Sequence, residues 1–370
     1  MMPNNHNAKD PRLRDVFRDD FKQRRTIFSS IRQDYRELKT YFLSDEKKER
    51  LRKMSWFRRW FVMAWWLLKT LFLNLPPARR ILLLIGLVLF LAGDTVIVGD
   101  ANVNVQSNDS ILAPLLLLFV LMLELKDKLL AKNELLAGRK VQEALTPKPD
   151  PSIPGWDIYI YNQPAIEIGG DLVDYLQLDE SHFGFALGDV AGKGLSAALL
   201  MAKLQATLHA LVLDRPHIEA LGKKLNTIFH REIPSNRFAS LLYLELTANQ
   251  GKVPFFNAGH LPPFVIQNGQ ITELPQGNPA LGMVADARYT EQNIQLTAGD
   301  CILIYSDGIT EAQNDARALY GEERLKHFLT GIQNRPAKRM VEGIVDDVQR
   351  FRGDTLPSDD ISILILKYKG

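Results

Sequence analysis

Four prolines fall between residues 147 and 154, in the stretch TPKPDPSIPGW. Proline lacks an amide hydrogen and its ring collides with the preceding turn, so no helix runs through this segment. The chain before it and the chain after it must fold as separate parts. The two parts also differ in charge. Residues 1–80 carry 20 Lys+Arg against 9 Asp+Glu, and the remainder carries 25 against 34. The formal net charge of +2 therefore averages a basic front of +11 with an acidic back of −9. Hydrophobic residues at 46% and charged residues at 24% exclude a disordered chain, a collagen-like chain and a multi-span transporter. The single cysteine, Cys301, excludes a disulfide framework and a zinc site built on several thiolates, and it fits a reducing compartment.

Residues 1–55 are polar and basic, with scattered apolar positions such as Phe17, Phe21, Ile27 and Phe28, and read as a cytoplasmic helical segment beside a membrane. Anionic lipid attracts juxtamembrane Lys and Arg at about 1 kcal/mol each. The basic residues are mixed with acids rather than clustered, which disfavours a nucleic-acid arm. A secretory signal does not fit, because the first long apolar run starts near residue 56 and lacks a small-residue cleavage pattern. Residues 56–75, WFRRWFVMAWWLLKTLFLNL, hold four of the five tryptophans together with Arg58, Arg59 and Lys69. Tryptophan favours the headgroup level and three charges make a full span costly, so the pattern predicts an amphipathic helix lying in the interface.

Two stronger apolar runs come next. Residues 81–99 carry one charge, Asp94, and residues 111–123 carry none, with Pro114 near the start. About 20 apolar residues cross a bilayer, and the second run is short of that. Buried core helices are the bland reading, but soluble helices keep a polar face and these runs have none. The loop 100–110 has no Lys or Arg, while Arg79, Arg80, Lys126 and Lys128 flank the outer ends. The positive-inside rule then predicts a two-helix transmembrane hairpin over 81–125 in a bacterial cytoplasmic membrane, with both termini in the cytoplasm. Residues 124–146 read as a linker helix, and its weak heptad pattern is the basis for expecting a homodimer through it.

The part after the prolines, residues 150–370, is large enough for one mixed domain. Strand patterns fall at 156–161, 172–178, 182–190, 238–246, 252–257, 263–267, 292–296, 301–305 and 361–367. Helical patterns fall at 195–213, 218–231, 322–332 and 337–351. Strands run in succession and helices come in blocks, which predicts an α+β layered fold of antiparallel sheets with helices outside.

The chemistry lies in acids at strand ends. EIGGD places Asp171 after two glycines, with Glu167 before them and Asp174 just beyond. LGDVAGKG ends an apolar run with Asp189. IYSDG ends another with Asp307, and DDISI opens the last strand with Asp359 and Asp360. If these carboxylates converge, burying them unpaired is expensive, and divalent cations relieve the cost. Oxygen donors without a cysteine or histidine cluster favour Mg²⁺ or Mn²⁺ over zinc. Each motif alone has a bland reading. Asp307-Gly308 is more often a turn, Gly192-Lys193-Gly194 lacks the rest of a P-loop, and Gly299-Asp300 is a turn with no chemistry assigned.

In order, GGDLVDY, GDVAGKGLSAALLMA, NAGHLPP, YSDGITEA and DDISILILK resemble the PPM-type metal-dependent Ser/Thr protein phosphatases, in the bacterial branch that regulates sigma factors in stress and sporulation. The resemblance covers essentially all of residues 140–370. It implies an αββα sandwich of two mainly antiparallel sheets, with two divalent cations, Mn²⁺ or Mg²⁺, between the sheet edges. It implies metal ligation by Asp171, Asp189, the Val190 carbonyl, Asp307, Asp359 and, less directly, Asp360. Asp189 would bridge both ions, and Asp189 and Asp171 would serve catalysis with metal-bound water as the nucleophile. Lys193 meets substrate phosphate or is a solvated lysine. Glu167 and Asp174 support the site, and His260 of NAGH either packs locally or has a role that the sequence does not disclose. Cys301 lies in the apolar run CILIY, where buried thiols are inert, which argues against a cysteine nucleophile.

These expectations make the chain a membrane-anchored phosphoserine/phosphothreonine phosphatase with a cytoplasmic catalytic domain. Its partners would be membrane lipid and a phosphorylated small anti-sigma-factor antagonist. The contrasting class is a catalytically silent membrane scaffold using the same fold, which the full set of acids disfavours. A two-metal nuclease is disfavoured by the acidic back end, which repels a polyanion.

Overall fold

The computed structural model describes residues 54–92, 109–214, 216–234 and 236–370. The chain divides into two compact units between Lys128 and Leu129. The segment expected over 1–55 and the expected external loop lie almost wholly outside the described residues.

The first unit holds helix α1 (Trp56–Asn74), helix α2 (Pro77–Ala92) and the first part of helix α3 (Asp109–Leu145). Pro77 stands at the first position of α2, where a missing amide costs nothing. Gly86 of α2 lets Leu116 approach, since a Cβ there would lie 3.1 Å from Leu116 Cδ2. Arg79 donates to Glu124 at 2.6 Å and to Asp127 at 2.5 Å, tying α2 to α3. Apolar side chains such as Leu84, Val88, Phe90, Leu118 and Phe119 are exposed. The expected second span and the linker are one helix, α3, with Pro114 in its second turn. Among the described residues, one helix is long and apolar enough to cross a membrane, Leu195–Val212, and it belongs to the second unit. The hairpin expected over 81–125 is not established by this arrangement. Part of its first span lies outside the described residues, and its second is the start of α3.

The second unit contains two five-stranded sheets. One runs in the order β1 (Trp156–Gln163), β10 (Ile361–Tyr368), β9 (Cys301–Tyr305), β6 (Phe264–Gln267), β7 (Gln270–Glu273). The other runs β2 (Asp171–Gln177), β3 (His182–Val190), β4 (Ala239–Thr247), β5 (Lys252–Ala258), β8 (Gln292–Gln295). Neighbouring strands are antiparallel throughout. Helices α4 (Leu195–Val212) and α5 (Ile218–Glu232) cover the second sheet, while α7 (Glu322–Thr330) and α8 (Ala337–Arg352) cover the first. A one-turn helix, α6 (Asp307–Thr310), comes directly after β9.

Side-chain alternation explains why the strands read as continuous apolar runs. In β9, Ile302 and Ile304 face the core between the sheets, while Cys301, Leu303 and Tyr305 face α7 and α8. In β3, Phe183, Phe185 and Leu187 face inward, and Ala186 and Val190 face the α4 side. Both of these strands are buried on the two faces, so their apolar residues are continuous rather than alternating. Full burial of each such side chain contributes roughly 1.5–3 kcal/mol. The α+β sandwich of antiparallel sheets is as expected. β7 is a strand the expectation omits, joined to β6 through Asn268 and Gly269, both at positive φ (49° and 80°).

Candidate active site at the ends of the two sheets

The two sheets present their acids at neighbouring strand ends. Asp171 opens β2 and Asp189 closes β3, and the two are paired directly across the ladder. Asp307 stands just past β9 at the start of α6, and Asp359 and Asp360 lead into β10. In antiparallel neighbours the end of one strand lies beside the start of the next, so acids at the ends of β3 and β9 meet acids at the starts of β2 and β10.

Their mutual influence shows in proton affinity. Burial, and after it Asp307, Asp359 and Asp360, raises the Asp189 carboxyl to about 7. Burial, and after it Asp359 and Glu311, raises Asp307 to about 6. Asp171 is 3% exposed and is pushed well above the usual carboxyl range, chiefly by burial, with Asp189 and Asp360 adding to the shift. Ser362 Oγ donates to Asp171 Oδ2 at 2.5 Å, opposing the shift and fixing the rotamer.

Asp360 makes backbone contacts that the sequence does not disclose. Its carboxylate accepts from the backbone N–H groups of Ala165 (2.7 Å), Gly170 (2.6 Å) and Asp171 (3.3 Å). Both oxygens are thus taken up in holding the segment before β2. The glycines of EIGGD permit this approach, since a Cβ on Gly169 would lie 2.6 Å from Asp360 Oδ2. Gly308 is required in the same way, because its Cβ would meet the Asp360 carbonyl at 1.9 Å. The apparent Asp-Gly turn at 307–308 is therefore a contact between strand ends.

The remaining expected residues have separate surroundings. Lys193 Nζ lies 2.8 Å from Asp359 Oδ2 and donates to the Ser358 carbonyl at 2.6 Å, so it is paired at the rim. Glu167 lies 3.9 Å from Lys132. Asp174 is 2% exposed and faces away from the acids, with its Oδ2 2.5 Å from His209 Nε2. Cys301 is fully buried and its thiol is pushed up to about 12, which leaves it inert.

Sequence reasoning missed several positioning residues. Gln142 near the end of α3 donates to the Gly169 carbonyl at 2.9 Å and accepts from the Gly169 amide at 3.1 Å. Arg237 donates to the Ala191 carbonyl at 2.5 Å, beside the loop after Asp189. Ser240 and Ser362 sit behind Asp189 and Asp171. No local pattern marks these residues, because each partner is distant in sequence.

The donor set can be tested against a hard divalent cation. Asp189 Oδ1 and the Val190 carbonyl oxygen lie on the same side of Gly170, each 3.5 Å from the point where a Cβ on it would sit. Carboxylate and carbonyl oxygens are the donors that Mg²⁺ and Mn²⁺ prefer, and a cation would offset the repulsion among the acids. Among the described residues, no group of three or more His, Cys, Asp or Glu side chains is placed to hold a metal ion. The fit to a hard cation is one of donor chemistry, carboxylate and carbonyl oxygens at neighbouring strand ends.

Known proteins share both the sequence pattern and the fold. The family model for Stage II sporulation protein E (SpoIIE) matches residues 179–369. The phosphoserine phosphatase RsbU of Bacillus subtilis is 26% identical over 240 residues, covering 64% of this chain and 71% of RsbU. The phosphoserine phosphatase RsbP of the same organism is 28% identical over 250 residues, covering 65% of this chain and 59% of RsbP. The SiaA-PP2C domain of Pseudomonas aeruginosa superposes with a TM-score of 0.59 at 18% identity, over 66% of this chain and 99% of that domain, and shares the fold.

Proposed function

From the premise that this chain belongs to the SpoIIE family, and so is a PP2C-type protein phosphatase, we propose that it hydrolyses phosphoserine or phosphothreonine on a small anti-sigma-factor antagonist while tethered to a membrane. What supports the reaction is the electrostatic coupling of the acids: Asp189 raises the proton affinity of Asp171, Asp307 and Asp359 raise that of Asp189, and Asp359 raises that of Asp307. These four, with the Val190 carbonyl, would hold two divalent cations. Such ions, when bound, lower the pKa of water and neutralise charge developing on a transferred phosphoryl group.

The chain's own residues orient the rest. Asp360 fixes the backbone before β2, and Ser362 fixes the Asp171 carboxylate. Asp171, buried and paired across the ladder with Asp189, would serve a cation directly or through water. Lys193, exposed at the rim, supplies positive charge toward an arriving phosphate. Names of relatives support the substrate class, since RsbU and RsbP are phosphoserine phosphatases. The exposed apolar side chains of α2 and α3 support the tether, because patches of this kind are uncommon on soluble surfaces.

The deciding experiment is hydrolysis of a phosphoserine peptide by the purified chain with added Mn²⁺. Asp189→Asn should lose turnover by at least about 100-fold, as expected for removal of an electrostatic catalytic group. Cys301→Ser should retain it. Full activity of a folded Asp189→Asn would remove the acidic site from the mechanism.

A further inference from the structure

The NAGH segment after β5 is the one motif that the proposed reaction leaves without work. Its backbone is tightly specified. Asn257 is 1% exposed, accepts from the His260 amide at 2.8 Å and donates to the His260 carbonyl at 3.0 Å. Gly259 takes φ +70°, and a Cβ there would lie 2.7 Å from the Ala280 amide nitrogen. This construction delivers the His260 imidazole into the interior at 4% exposure. Burying a ring with two polar nitrogens costs stability unless both find partners.

One partner is defined. His260 Nδ1 lies 3.1 Å from Ser240 Oγ on β4. Ser240 Oγ in turn accepts the backbone N–H of Asp189 at 3.0 Å. The Ser240 hydroxyl is thus the common partner of the Asp189 amide and of Nδ1, and joins the two in one hydrogen-bonded chain. Nε2 is buried without a hydrogen bond among the described residues. The Tyr305 main chain acts on the ring from β9, two residues before Asp307. The imidazole therefore stands between the strand end that carries Asp189 in one sheet and the strand end that carries Asp307 in the other. Burial holds the ring at about 4, so it remains neutral at ordinary pH.

We propose that His260 is a positioning residue for the acidic site, acting through Ser240 on the Asp189 backbone and spanning the two sheets to fix the Asp189–Asp307 separation. The proposal rests on the reading of those acids as a cation-binding phosphatase centre. It assigns no proton transfer to His260, which touches neither substrate nor carboxylate. Residues that orient metal ligands in this way carry about 10- to 100-fold in metal affinity or activity.

The test uses the full chain and its Ser240→Ala, His260→Ala, double Ala and Ser240→Thr forms. Three quantities are read: Mn²⁺ affinity from the paramagnetic resonance of free Mn²⁺, kcat and KM on a phosphoserine peptide, and amide hydrogen exchange at Asp189. Each Ala variant should weaken Mn²⁺ binding by about 10- to 100-fold and lower kcat with KM unchanged. Exchange at Asp189 should accelerate in both. The double variant should lose no more than the worse single, because the two residues act in series. Ser240→Thr, which keeps the hydroxyl, should restore all three readouts. Folded Ala variants with wild-type Mn²⁺ affinity and wild-type exchange at Asp189 would overturn the proposal, as would losses that simply add. If an Ala variant does not fold, the comparison of Ser240→Thr with Ser240→Val decides instead, with loss confined to Val supporting the relay and equal behaviour overturning it. A parent chain that neither binds Mn²⁺ nor hydrolyses the peptide sinks the phosphatase reading alone, and the exchange at Asp189 still decides the relay.

Discussion

Asp189 and Asp307, raised to about 7 and about 6, keep protons in the folded chain that an unfolded chain has already released. A carboxyl whose folded pKa is raised stabilises fully below the unfolded value of about 4, and that contribution is lost as pH rises through the folded pKa. The cation-free chain should therefore lose melting temperature between about pH 4 and pH 7. Mn²⁺ should restore it by an increment that grows across the same interval, because binding to the folded state alone stabilises by mass action. Melting curves in chelator and in Mn²⁺ at several pH values measure both slopes. A cation-free chain that gains stability over this range would mean that the acids are compensated by other groups. The four acids stood out in the sequence because each borders an apolar run, Asp189 and Asp307 at its end, Asp171 and Asp359 before its start. Their supports were not: Ser362 reaches Asp171 across 191 positions and Ser240 reaches Asp189 across 51. The backbone-holding role of Asp360 is equally invisible beside Asp359, because two adjacent acids look alike until the pleat directs them apart.

At the level of elements, α3 ends by clamping the glycines before β2. Gln142 makes both its hydrogen bonds to Gly169 and is 9% exposed, so Gln142→Ala leaves a buried amide and carbonyl unpaired. That should cost about 1–3 kcal/mol in denaturant unfolding of the second unit and lower turnover, because the Gly169–Gly170 segment also carries the Asp360 contacts. An unchanged midpoint and unchanged kcat would show that the clamp is dispensable. Strand positions were legible because burial on both faces gives unbroken apolar runs between Gly and Pro turns. β7 escaped because its sequence, QITE, is short and polar at a sheet edge, although Asn268-Gly269 is the turn pair that favours a two-residue hairpin. The continuity of α3 through Leu125 also escaped, since an apolar stretch and a charged stretch read as two elements while the backbone ladder ignores the change.

For the whole molecule, the division of charge meets a division of architecture. The basic front precedes two helices with exposed apolar side chains, and the acidic back folds into the sandwich. If the front is a tether, the full chain should float with anionic liposomes in both low and high salt, because apolar insertion is not screened. Release by salt alone would restrict the front to electrostatic attachment. The sheet order has a consequence in time. β1 finds no neighbour other than β10, so Trp156 waits for Tyr368, the last strand of the domain to be made. At about 5–20 residues per second, that wait lasts on the order of 10–40 s on the ribosome. Asp359 and Asp360 are made only near the end of it, so under the proposed reaction a prematurely terminated chain lacks both acids. What must be guarded until then is a bare strand edge.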